Sequence, residues 1–288
     1  MRKNVISIFK FAAAFLITMA ISTGIRVLAS VISGEQGAPS FVTTEFNLFG
    51  SFSQILLLLA YILIGYQIQV KSKVLKGLLF SALFWASAYL PQVLGMLGGT
   101  SAVLNENAMS LQTIVLDSIG YLLGGIVIGF FLTFREAEPK RVCSIGACLG
   151  ACTVSMILFP TVIFVLQMAV GALNPRFLAA NAFAIQRDEV LSFYIVFYIF
   201  QAVSGFIFPV FYRFTEYNSR QRSWLRFAGV YGGMLWTPVV LIVMFFGIEA
   251  LPTVVFAGVM LAAIYADVFA FAKIMDRESE SDKKNAAP

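Results

Sequence analysis

The sequence predicts an all-α, polytopic integral membrane protein of eight transmembrane helices, and three observations predict it. First, the 288 residues are 59% hydrophobic and only 12% charged, with a mean hydropathy of +0.86; a soluble domain runs about 45–50% apolar and 25% charged. Second, apolar stretches recur at close to the ~20 residues that carry a helix across a ~30 Å hydrocarbon core. Third, the basic residues gather in the short polar segments between alternate stretches, as the positive-inside rule requires.

The elements follow in order. The stretch 11–32 comes after Arg2, Lys3 and Lys10 and contains Arg26. A basic start before an apolar run also describes a secretory signal peptide. This run exceeds the usual h-region of about 7–15 residues, so it reads as a retained span. A polar segment with Pro39 leads to the second stretch, 51–70, closed by Lys71, Lys73 and Lys76. The third, 78–97, carries Pro91, a candidate kink. The fourth, 112–134, is nearly unbroken apolar sequence around one acid, Asp117, with glycines at 120, 124, 125 and 129. The charged, Pro139-containing run after it cannot continue the span and marks the joint between two halves.

In the second half, 142–170 is longer than a crossing needs and contains Pro160, so it is expected to tilt or bend. Asn174-Pro175 is expected to start a short helix, Asn as N-cap and Pro at the first helical position. The sixth span is 191–212, the seventh 227–248 with Pro238, and the eighth 253–272. The polar, mixed-charge tail, 275–288, reads as disordered and cytoplasmic. With both termini inside, all of the 20 basic residues except Arg26, Arg176 and Arg187 fall in inner segments. A miscounted span would invert every later segment and destroy that pattern. The expected location is the plasma membrane.

The halves 1–141 and 142–274 resemble each other weakly. Thr113-Ile114-Val115-Leu116 lies opposite Thr253-Val254-Val255-Phe256, and each half holds an even number of spans. They read either as parallel four-helix repeats or as apolar helices that align by chance.

Composition also bounds the chemistry. The net charge is +5, but the charges sit in caps between spans and not along one face, so no nucleic-acid partner is expected. The absence of histidine removes His-based catalysis and His-ligated metals. Cys143, Cys148 and Cys152 lack further soft ligands nearby and read as packing residues; no metal, cofactor or catalytic residue is assigned. No phosphate-binding glycine loop is present, so the chain holds no nucleotide engine of its own.

Three residues stand out as candidate ligand- or ion-binding groups. A charge deep in a span costs at least ~2.5–3.5 kcal/mol and normally pairs or faces protein or water. Arg26 and Asp117 lie at similar depth near the outer ends of their spans and are candidates for an ion pair, structural or ligand-binding. Asp267 lies about seven residues from the inner end of the last span. Lys273, at i+6, is off its face, and Gln201 and Ser204 are candidate partners. An acid so placed suits a proton-coupled carrier, or a hydrogen-bonded structural role. An aspartyl dyad of Asp117 and Asp267 is disfavoured, because one is near the outer face and the other near the inner. The G-x-x-x-G pairs at 120/124, 125/129, 146/150 and 229/233 point to close helix packing by the fourth, fifth and seventh spans.

The leading expectation is a small-solute transporter or a transporter's permease subunit, with the lipid bilayer, partner membrane subunits or a separate ATPase as partners. A non-catalytic membrane partner of a larger complex, and an integral enzyme acting on lipid through Asp117 or Asp267, are the alternatives.

Overall fold

Residues 2–33, 55–65, 68, 70–97, 111–133, 144–178, 190–214, 224–232 and 250–285 are described by the computed structural model. All regular structure among them is helical: α1 (Arg2–Ser33), α2 (Ile55–Ile64), α3 (Lys73–Leu97), α4 (Leu111–Leu132), α5 (Ile145–Leu173), α6 (Val190–Phe214), α7 (224–232) and α8 (Ala250–Asn285). Four of these contain stretches long and apolar enough to cross a membrane: Ser7–Ile25 in α1, Ile145–Leu173, Val190–Phe214, and Val254–Met275 in α8. Their outward faces are rich in exposed apolar side chains, including Ile8, Phe9 and Leu16 on α1 and Leu149, Ile157 and Val165 on α5. Water would oppose that much contiguous apolar surface.

The chain forms two compact units, one of residues 1–85 and 109–139, the other of 86–108 and 140–288. In the first, α1 packs antiparallel on α4: Ile25 lies against Gly120, and Thr18 against Gly124. The α3–α4 contact is closer still. Gly77 sits against Gly125 and Gly129, backbone on backbone, so no side chain fits at any of the three. Without a hydrophobic drive between helices in lipid, such contact is what dispersion forces reward. Tyr61 of α2 joins the same place, with its ring edge-on to Phe80 at 5.2 Å and its hydroxyl 2.7 Å from Thr133 Oγ1.

In the second unit the helices alternate in direction. Thr161 and Phe164 of α5 meet Tyr198 and Tyr194 of α6, which makes that pair antiparallel. Phe197 and Tyr212 of α6 meet Phe256 and Phe271 of α8, which makes those two parallel. Trp224, Gly229 and Gly232 of α7 meet Phe269, Tyr265 and Leu261, so α7 opposes α8. Arg213, Arg226 and Lys273 therefore lie at the end of this unit where α5 begins. Phe208, Phe211, Tyr212, Phe227, Tyr231 and Phe271 form the core near that end, with ring centroids 4.8–6.4 Å apart and mostly edge-to-face. Each such pair contributes ~0.5–1.5 kcal/mol beyond its buried area.

Local signals match the structure in α5 and just after it. Ser144 caps α5, its hydroxyl accepting from Ala147 N, and Asn174 Oδ1 accepts from Arg176 N to open a 3-10 turn, Pro175–Phe177. Two expectations are corrected. The stretch 275–285, expected to be disordered, is helical, because α8 runs on to Asn285. It holds no Gly or Pro to stop a helix, and Glu280 stands four residues before Lys284, a spacing that supports helical turns. The 146/150 glycine pair is not a packing face either. Among the described residues, a Cβ at Gly150 meets no heavy atom within 4 Å, and one at Gly146 meets only the neighbouring Ser144. The rest of the seventh span, with Pro238, lies outside the described residues, as does Cys143.

Candidate functional site: a buried carboxyl between α5 and α8

The buried face of α8 runs Phe256, Met260, Ala263, Ile264, Asp267, Val268, Phe271, Met275, at the three- and four-residue steps of a helix. Asp267 is thus set by periodicity into the middle of an otherwise apolar stripe, and it is 0% exposed. The facing stripe on α5 is Cys148, Cys152, Ser155, Phe159, Ile163, Gln167. Ser155, also 0% exposed, donates its hydroxyl to Asp267 Oδ2 at 2.6 Å. Asp267 Oδ1 is buried and has no hydrogen-bond partner among the described residues.

The partner differs from the expected ones. Gln201 and Ser204 belong to α6, but the α6 residue level with the site is Gly205, packed on the Ser155 backbone. A Cβ there would stand 2.5 Å from Ser155 O. The missing side chain lets α5 and α6 close up, and α5, not α6, supplies the donor. Phe159 and Phe208, edge-to-face at 5.0 Å and both 1% exposed, lie beside it. Lys273 takes no part: its Nζ stands over the Phe269 ring, 4.5 Å from the centroid.

In a helix that crosses a bilayer, an acid buried as Asp267 is would cost ~2.5–3.5 kcal/mol. One hydrogen bond to a charged group recovers ~1.5–3 kcal/mol, and an unsatisfied buried oxygen forfeits a further ~1–3 kcal/mol. Alanine or leucine at position 267 would carry none of these costs. One oxygen is held and the other is left with its acceptor capacity unused. That arrangement can take up and release a proton or a cation, or accept a donor from a solute.

Arg26 and Asp117 lie on the packed α1–α4 pair. The contacts of Ile25 with Gly120 and Thr18 with Gly124 place positions 26 and 117 on adjacent turns at one end of it. Their side chains lie outside the described residues. Ser155 was not singled out from sequence. The signal was available, because 155 falls on the same helical face as Cys148, Cys152 and Gln167, a polar line along a crossing helix. Cys148 and Cys152 are buried on that line. Among the described residues no three His, Cys, Asp or Glu side chains are grouped to hold a metal ion.

Compared with protein-family models, with curated proteins and with solved structures, the chain has no match.

Proposed function

We propose that the chain crosses the plasma membrane eight times with both termini cytoplasmic and acts as a small-solute transporter, alone or as the permease subunit of one. The observation that carries the reading is the carboxyl of Asp267, 0% exposed and held by Ser155, with its other oxygen unengaged among the described residues. Intramembrane acids of this kind are the loading points of coupled carriers. The alternating directions of α5 to α8, with Arg213, Arg226 and Lys273 at one end of their unit, support the weave, and the positive-inside rule favours a cytoplasmic reading of that end. In each unit, moreover, the first helix packs on the fourth: α1 on α4 and α5 on α8. This supports a repeated four-helix plan.

The cycle follows from the geometry. Asp267 accepts a proton or a cation while Ser155 holds its other oxygen. The change in charge alters the cost of burial, and helix motion about the close contact at Gly205 exposes the group to one side or the other. The test uses the full chain in proteoliposomes on a solid-supported membrane, challenged with neutral, anionic and cationic small solutes under a pH gradient. A solute-evoked current is expected from the wild type and is lost in Asp267→Asn, which still inserts and folds. Full current in Asp267→Asn, or no flux of any solute through inserted protein, would overturn the reading.

A further inference from the structure

The surroundings of Asp267 narrow what can load it. We propose that the ion it takes is a bare proton, and that Na⁺, K⁺ and divalent cations are excluded. As a coupling role this deepens the transporter reading and rests on it; the binding itself does not.

Room is the first argument. Around Asp267 the helices touch directly. Ser155 Oγ stands 2.6 Å from Oδ2. Beside that pair the Gly205 backbone closes on α5, so that a Cβ there would stand 2.5 Å from the Ser155 carbonyl and 3.3 Å from Met156 Cα. Phe159 and Phe208, both buried, meet edge-to-face next to it. Ala263, Ile264, Val268 and Phe271 continue the packed face on α8. A proton needs no space of its own, because it becomes part of the carboxyl.

Ligand number is the second. Hard cations gather about six or more oxygens. The side chains described at this place offer the carboxyl pair and one hydroxyl. Farther along the α5 stripe stand the sulfurs of Cys148 and Cys152, which do not suit alkali or alkaline-earth ions. Pro160 and Pro209 each free the main-chain carbonyl four residues earlier, those of Met156 and Gly205. Both residues belong to the closed α5–α6 contact.

Hydrogen bonding is the third. A carboxylate has about four lone-pair sites. Ser155 fills one, and Oδ1 has no partner among the described residues. Protonation removes the buried charge and turns Oδ1 from an acceptor into a donor. The carbonyls freed by the two prolines are acceptors of the kind that such an O–H needs. One donor and two free carbonyls match the acid better than the anion.

Loading forms an O–H bond on Oδ1 with a proton taken from water at one membrane face, and the carboxylate becomes neutral. Release breaks that bond and returns the proton to water at the other face; Ser155 keeps its own proton throughout. The titratable groups on the elements around Asp267 are Cys148 and Cys152 on α5, Tyr212 and Arg213 on α6, Tyr231 on α7, and Tyr265 and Lys273 on α8 itself. Lys273 stands over the Phe269 ring. None of these groups is a carboxylate, which gives Asp267 its own spectroscopic signature.

The experiment is infrared difference spectroscopy of the full chain in nanodiscs between alkaline and acid pH, without solute or gradient. Choline, Na⁺, K⁺ and Mg²⁺ chlorides are compared at constant ionic strength. The C=O band of a protonated carboxyl is expected to appear reversibly on acidification and to be lost in Asp267→Asn. In Ser155→Ala its C=O lacks the hydroxyl donor, and the band is expected to move to higher frequency; this identifies it should Asp267→Asn fail to fold. At fixed pH its size is expected to be the same in every salt. No such band, a band that pH does not change, a band unmoved in folded Ser155→Ala, or one that shrinks as Na⁺, K⁺ or Mg²⁺ replaces choline would overturn the proposal. A salt-indifferent titration in a protein that moves no solute would sink the transporter reading alone. A cation-sensitive band in a protein that gives a solute-evoked current would sink this one alone.

Discussion

Ser155 and Asp267, 112 residues apart in the chain, meet through a 2.6 Å hydrogen bond with no exposed surface on either residue. Ser155→Ala leaves both carboxyl oxygens without a donor among the described groups. It is expected to destabilise the folded chain by ~1–3 kcal/mol. In a cycle with Asp267→Asn, the two changes are expected to fall short of additivity by about 1 kcal/mol. Reversible unfolding in mixed detergent micelles measures both, and strict additivity would show that the two side chains do not interact.

Glycines divide by what surrounds them. Gly205→Ala puts a methyl 2.5 Å from the Ser155 carbonyl, and Gly77→Ala puts one into the α4 backbone. Each is expected to cost ~1–3 kcal/mol by overpacking. Gly150→Ala and Gly24→Ala meet nothing within 4 Å among the described residues and are expected to raise stability by ~0.5–1 kcal/mol through helix propensity. Thermal unfolding of the four variants checks the split, which a common effect on all four would contradict.

The α1–α4 register bears on Arg26 and Asp117. If positions 26 and 117 carry an ion pair, as the adjacent turns allow, Arg26→Ala and Asp117→Ala each strand a charge, and each is expected to lower the yield of folded protein. Removing both is expected to harm it less than the sum of the two. Harm equal to that sum would remove the pair.

Topology can be read by labelling. Arg176 and Arg226 are both exposed and lie at opposite ends of the second unit. With the native cysteines replaced, an impermeant maleimide applied outside intact cells is expected to modify Arg176→Cys and to spare Arg226→Cys. The reverse pattern would invert the orientation, and labelling of both would break the weave.

Much of the helical layout was legible in one dimension. Helices α3, α5 and α6 begin and end within a few residues of the apolar stretches, and Asn174 and Pro175 start their turn where cap chemistry puts it. The tail shows where polarity misleads: its lack of apolar residues suggests lack of structure, yet 275–285 continues α8. The glycine pairs show a similar limit. Spacing identifies a small-residue face, but among the described residues Gly150 meets no neighbour and Gly146 only Ser144, while Gly77 and Gly205, outside the pairs that spacing identifies, sit against the backbone of another helix.

Hydropathy, capping and the placement of cationic ends are properties of neighbours along the chain. The sequence alone therefore decided that this is a helical protein with Asp267 inside an apolar stretch. Which side chain would answer that acid depended on how far α5 slides along α8 and how near α6 lets it come. That register is set where Gly205 admits the Ser155 backbone, a contact between residues fifty positions apart that no local pattern encodes. Tertiary packing thus replaced the nearer candidates, Gln201 and Ser204, with Ser155.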